Sequence, residues 1–141
     1  MISSFFTYIQ DSYHQMRGTW TPKRLNNLSD YQKYDMAKHT LFVTPGQENS
    51  DFNKEYGYTK ENLDYLLDHN LVDPSLRNND LLEMAHSANY RYYIDKMIKH
   101  PKIDICNNEV LKGRILSTCE WNGWDDIKTF ISAKCREDIP Q

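Results

Sequence analysis

The chain has few of the residues from which common functional devices are assembled. Its five glycines, Gly18, Gly46, Gly57, Gly113 and Gly123, are scattered, which excludes a glycine-rich loop cradling phosphates. Its three cysteines, Cys106, Cys119 and Cys135, are an odd number without CxxC spacing, a pattern that argues against a disulfide framework. They are expected as reduced, partly buried small hydrophobes, and a reducing, cytoplasmic compartment follows from that expectation. No apolar run approaches the roughly 20 residues of a membrane helix. Met1–Ile9 is partly apolar, but it lacks a basic leader and Gln10 and Asp11 cut it short, so neither a signal peptide nor a membrane partner is expected. Neither sign of charge dominates: 17 Lys and Arg stand against 20 Asp and Glu, with seven against nine in residues 1–70 and ten against eleven in 71–141. Nonspecific nucleic-acid binding draws on an excess of basic residues that is missing here.

Aromatic bulk is plentiful, with ten Tyr, five Phe and three Trp among 141 residues. A chain of that length forms one domain with a true core, burying roughly 65–70% of its unfolded surface. The pattern predicts an all-α single domain over 1–141. A helical N-terminal part spans 1–43, a connecting loop 44–58, a repeat-like helical part 59–135 and a tail 136–141. Ser3 or Ser4 caps a first helix to about Met16, and Ser29 caps one from Asp30 to about Thr40 whose incomplete apolar face is Tyr31, Tyr34 and Ala37. Thr59 caps a helix from Lys60 to His69, with Leu63, Leu66 and Leu67 inward. Asp80 opens a helix through Leu81, Leu82, Met84 and Ala85, and Tyr90, Tyr93, Ile94, Met97 and Ile98 carry the next stripe. Periodicity allows one helix over 80–100 or two divided near Ser87–Asn89. Asn108 caps a helix with Val110, Leu111, Ile115 and Cys119 inward, and Trp124, Ile127, Phe130 and Ile131 face the core from a last one.

One phrase occurs twice. Leu66-Leu67-Asp68-His69-Asn70-Leu71-Val72-Asp73-Pro74 is echoed by Met97-Ile98-Lys99-His100-Pro101-Lys102-Ile103-Asp104-Ile105. In each an apolar stripe ends, a polar pair turns the chain, and an aliphatic-Asp step leads to Asn78-Asn79 or Asn107-Asn108. Recurrence at about 30 residues marks helical repeats, whose units bury their apolar faces on one another.

The block from Thr59 to Ala133 resembles ankyrin repeats, particularly the divergent kind found in viral arrays. Asn79–Ala85 stands where the first repeat helix would be, Tyr90–Ile98 where the second would be, and Lys102-Ile103-Asp104-Ile105 at the loop segment. The family's Thr-Pro-Leu-His phrase is absent, and Gly123 is the one glycine at an inter-helix corner. The resemblance implies a short stack of antiparallel helix pairs with a helical N-terminal cap. A compact irregular helical bundle is the alternative.

No catalytic spacing stands out. The histidines, His14, His39, His69, His86 and His100, form no HExxH pattern. Asp11 with His14, Asp35 with His39 and Glu83 with His86 are ordinary one-turn helix pairs, and His69 and His100 suit helix ends. Cys119 lacks a nucleophile signature, and Asp125 and Asp126 complement a helix N-terminus. No catalytic residue, metal ligand or cofactor is therefore assigned. Tyr90, Tyr92 and Tyr93 cannot all point inward from one helix, and Trp121 and Trp124 flank a turn. Tyr, Trp and Arg dominate protein interfaces. The expected function is a protein-binding module, an inhibitor or adaptor that blocks a partner surface. Its contacts are expected at Asp73, Arg77, Asn79, Arg91, Tyr92, Asp104, Asn107, Trp121 and Trp124. The alternatives are a small enzyme, a nuclease or modifying enzyme, using His14, His39 or His86 with nearby acids, and a nucleic-acid binder stacking bases on the same aromatics beside Arg91, Lys96 and Lys99. Composition leaves the oligomeric state open.

Overall fold

The computed structural model describes residues 19–43 and 50–137. The helix expected before Met16 and the end of the tail lie outside them. Every regular element among the described residues is a helix, and no strand occurs there. The helices gather into two compact units, one ending at Asp73 and the other beginning at Pro74.

The first unit contains α1 (Pro22–Asn26), α2 (Asp30–Phe42), α3 (Asp51–Tyr56) and α4 (Lys60–Asp68). Each starts where a hydroxyl takes up an orphan N–H. Thr21 accepts from Arg24 N–H at 3.2 Å, with Pro22 filling the first turn. Ser29 and Gln32 form a reciprocal capping box, at 3.1 and 2.9 Å. Thr59 accepts from Asn62 N–H at 3.3 Å. Both α1 and α2 pack on α4, burying Leu25, Tyr34, Met36, Ala37, Leu41, Leu63, Leu66 and Leu67. Tyr31, expected on that face, is 69% exposed, and Met36 is buried completely.

The expected connecting loop over 44–58 contains α3. Ser50 caps it by accepting from Asn53 N–H at 3.2 Å, and Gly57 stops it at φ 80°. A cap and a stop with six residues between them enclose a single short helix, and both are residue types that otherwise signal loops.

The second unit holds α5 (Leu76–Ser87), α6 (Arg91–Ile98), α7 (Glu109–Asn122) and α8 (Asp125–Glu137). Residues 80–100 form two helices, with Asn89 at φ 53° as the corner. Asn89 and Gly123, as well as Gly57 and Asn70 in the first unit, adopt left-handed backbone at a helix end. In each case the following N–H reaches back five residues: Tyr58 to Asn53, Leu71 to Leu66, Tyr90 to Ala85 and Trp124 to Cys119, at 2.8–2.9 Å. This closure satisfies carbonyls that the helix leaves open. Asparagine tolerates the left-handed region and here does the work of the missing glycines.

Helix α5 packs on α6 and α7 on α8. The two pairs are joined by contacts between residues 31 to 35 apart in sequence: Glu83 with Arg114, His86 with Thr118, Asn89 with Asn122 and Arg91 with Asp126. Tyr93, Ile94, Met97 and Ile98 of α6 are fully buried, each contributing about 1.5–3 kcal/mol relative to exposure. Leu111, Ile115 and Cys119 form the buried stripe of α7. Val110, expected inward, is 72% exposed, because a stripe repeating every four residues from Leu111 leaves its neighbour about 100° around the helix.

The expectation of three free thiols is corrected. Cys106 and Cys135 are joined in a disulfide with their Cα atoms 5.1 Å apart, and Cys119 alone is free and buried. An odd count does not prevent one pair from forming when a helix passes a loop. No helix of the described residues is long and apolar enough to cross a membrane.

Candidate partner-binding cleft

Two loops of the second unit, the ones that end in asparagine pairs, face a common cleft. The chain enters α5 through Arg77, Asn78 and Asn79, three successive left-handed residues at φ 52°, 59° and 64°. Asn79 N–H donates to Ser75 C=O at 3.0 Å, closing the turn. Asparagine accepts this conformation, but for most side chains it costs about 1–2 kcal/mol per residue. Arg77 therefore holds stored strain of the kind that concentrates at functional sites.

The second loop is tied down on every side. Ile103 and Ile105 are buried and anchor it, and Cys106 is bonded to α8. The two Asp104 carboxylate oxygens accept from Asn107, one from its backbone N–H at 3.3 Å and the other from its side-chain Nδ2 at 2.7 Å. Asn108 Oδ1 accepts from Leu111 N–H at 3.2 Å and starts α7. The bonds from Asn107, with the side-chain bond foremost, hold the Asp104 carboxyl below the usual aspartate range.

Between the loops lies a cleft of about 630 Å3 lined by Asn78, Asn79, Asp104, Asn107 and Asn108, with Glu83, Glu109, Val110 and Leu111 completing its wall. That volume is typical of ligand clefts, which span about 300–1,000 Å3. Two of its carboxylates have cationic partners: Glu83 with Arg114 at 3.0 Å and Glu109 with Lys112 at 3.1 Å. The carboxamides of Asn78 and Asn79 form no hydrogen bond among the described residues. Each carries two donors and an acceptor, so the strained turn presents unspent hydrogen-bonding capacity to the cleft.

The predicted contact residues divide between places. Asn79, Asp104 and Asn107 line the cleft, and Arg77 belongs to the turn that shapes it. Arg91, Tyr92, Trp121 and Trp124 sit at the opposite, corner end of the helices. There Arg91 Nη2 meets Asp126 Oδ1 at 2.6 Å and its guanidinium lies 5.9 Å from the Trp124 ring centre. The Arg91 hydrogen bond is the main reason the Asp126 carboxyl is held low. Tyr92 is 39% exposed, edge-on to Tyr93, and Trp121 is 91% exposed. Eleven residues of α7 separate Val110 from Trp121, about 16 Å along the axis, so these aromatics are not part of the cleft. Asp73, half-buried, belongs to the first unit.

Asn78 and Asn108 fall in the loop segments 72–79 and 103–108 expected at the contact, whereas Glu83 and Glu109 lie outside the expected set. The doubled asparagines were the signal for the first two. Glu83 was read as a one-turn partner of His86, whereas it pairs with Arg114 31 residues away, a relation only the repeat period could have suggested.

The other candidate chemistry stays dispersed among the described residues. His39 lies 3.4 Å from Asp35 and stacks on Tyr58, and His86 Nε2 is 2.8 Å from Thr118 Oγ1. Asp11 and His14 fall outside the described residues. No three His, Cys, Asp or Glu side chains among those described are placed to hold a metal ion. Burial pushes the Cys119 thiol up, away from the thiolate form that attacks electrophiles. No protein-family model, curated protein or solved structure matches this chain.

Proposed function

We propose that this chain is a non-catalytic protein-binding module, an inhibitor or adaptor built as a divergent ankyrin-like array, and that the polar cleft of its second unit is the contact. The observation carrying this reading is the strained left-handed turn Arg77–Asn78–Asn79, which holds toward a ligand-sized cleft two carboxamides that form no hydrogen bond among the described residues. Backbone strain of this kind is consistent with a binding role. The helix pairs behind it, joined at a 31–35-residue displacement, supply the rigid support a recognition loop needs.

The test is affinity capture from host extract with the wild-type chain and with Asn78→Gly/Asn79→Gly. Glycine keeps the left-handed backbone and removes the amides. A partner held by the wild type is expected to be lost from the double variant while thermal unfolding is nearly unchanged. The exposure of Trp121 favours a second reading, contact at the corner end. A partner kept by the glycine variant but lost from Tyr92→Ala/Trp121→Ala would move the interface there. Capture indifferent to both pairs would sink the proposal.

A further inference from the structure

The cleft's lining restricts what can occupy it. Among the described residues no aromatic ring lines it, so they offer no platform for a nucleobase or a sugar face. No cationic side chain among the described residues lines it either, which disfavours phosphate and other anions. It is too polar for a lipid chain or a purely apolar anchor, since carboxamides and carboxylates make up most of its wall. What it offers is a mixed array of donors and acceptors with three carboxylates, Glu83, Asp104 and Glu109.

A polypeptide backbone that is not hydrogen-bonded to itself presents the complementary array. Each residue carries one N–H and one C=O, and a carboxamide can pair with both at once, donating through Nδ2 and accepting through Oδ1. A helix or the interior of a sheet has already used those groups, so the segment must be extended. Asn78 and Asn79 have their whole carboxamide capacity to spend among the described residues, whereas Asn107 Nδ2 already donates to Asp104 and Asn108 Oδ1 already accepts from Leu111. Of the carboxylates, Glu83 and Glu109 face Arg114 and Lys112. Asp104 is exposed and bonded to a neutral amide; the positive charge acting on it is that of Lys134 on α8, a smaller influence than the Asn107 bonds, and among the described residues Asp104 forms no direct ion pair of the kind Glu83 and Glu109 make. A cationic side chain beside the backbone-reading amides would meet it.

We infer that the cleft takes an extended basic segment of the partner, its main chain read by Asn78 and Asn79 and a Lys or Arg side chain read by Asp104. This rests on the reading of the cleft as the partner contact and adds the chemistry of the occupant.

The experiment is selection of a random dodecapeptide library on the immobilised full chain, followed by titration of synthesised winners by fluorescence polarisation. Enrichment of Lys- or Arg-containing peptides is expected. Asn78→Gly/Asn79→Gly should weaken them about tenfold or more, the loss of two hydrogen bonds. Asp104→Asn should weaken the basic winners selectively, and Trp121→Ala should leave affinity unchanged. No enrichment, or winners that bind the glycine variant equally well, overturns the inference. So does an oligonucleotide or glycan that binds wild type and is lost from the same variant. If a captured host protein depends on Asn78 and Asn79 while no linear peptide binds, the cleft remains the contact and only the extended-segment assignment falls. If captured protein and peptides alike ignore those residues, both fall.

Discussion

The Glu83 carboxylate on α5 and the Arg114 guanidinium on α7 lie 3.0 Å apart across 31 residues of chain. The first helices of the two helix pairs thus meet through this contact, and the same ion pair stands beside the cleft, since Glu83 contributes to its wall. Both side chains are partly exposed, at 33% and 46%, so the pair's part in stability is small. A double-mutant cycle on Glu83→Gln and Arg114→Met, followed by urea denaturation, should give a coupling of about 0.2–1 kcal/mol. It should shrink in molar salt, where the Debye length falls to about 3 Å. A coupling of zero at low salt would mean that the two side chains do not meet in solution.

Two left-handed glycines separate conformational from steric cost. An added Cβ at Gly123 meets nothing within 4 Å, whereas at Gly57 it lies 2.7 Å from both Met36 Cε and the Trp20 ring. The Trp20 indole is held by its N–H bond to Glu55 C=O at 2.9 Å and cannot simply swing aside. Gly123→Ala should therefore lose about 1–2 kcal/mol, the left-handed penalty alone. Gly57→Ala should lose more, because overpacking adds about 1–3 kcal/mol. Denaturant melts of the two variants check the order, and equal losses would refute the close approach at Gly57.

Much of this fold is written locally. Ser29, Thr59 and Asn108 were legible as caps because a short polar side chain before an apolar stripe has one economical use. The α6 stripe was legible because Tyr93, Ile94, Met97 and Ile98 recur at helical spacing. The same local grammar concealed α3, whose cap Ser50 and stop Gly57 are the residues that loops also use. It could not disclose Arg77, which has no intrinsic leaning to left-handed backbone and adopts it between Ser75 and Asn79. The asparagine loops were visible as a contact region because they are duplicated. The aromatics were grouped with them by residue type alone, and no local signal revealed that α7 sets Trp121 at the far end from the cleft.

The Asp104–Asn107 pair gives the cleft a pH dependence of known sign. The folded-state pKa of Asp104 is depressed, chiefly by the Asn107 side-chain bond, so the ionised form is favoured in the folded chain. Its contribution is present above the pKa of the unfolded chain and fades as pH falls through the lower, folded value. Neutral and mildly acidic solutions leave it intact. An NMR titration of the Asp104 carboxyl carbon should place its midpoint below that of an unstructured aspartate, and Asn107→Ala should move the midpoint up. An Asp104 midpoint at the ordinary value in the wild type would remove the bond from the account of the cleft.

The Cys106–Cys135 bridge fastens the cleft loop to α8, because Cys106 sits between the cleft residues Asp104 and Asn107. It closes a loop of 29 residues in sequence, and restricting the unfolded chain over such a span is worth about 2–4 kcal/mol. Thiol titration of the unreduced protein in guanidinium should find only Cys119, and all three cysteines after dithiothreitol. Cys135→Ser should unfold at lower denaturant than the unreduced wild type by about that free energy. Adding reductant should bring the wild type down to the variant's level while leaving the variant nearly unmoved. If all three thiols titrate before reduction, or if the variant matches the unreduced wild type, the bridge does not hold the loop in solution, and the rigidity of the Asp104 rim must come from Ile103, Ile105 and the Asn107 and Asn108 hydrogen bonds.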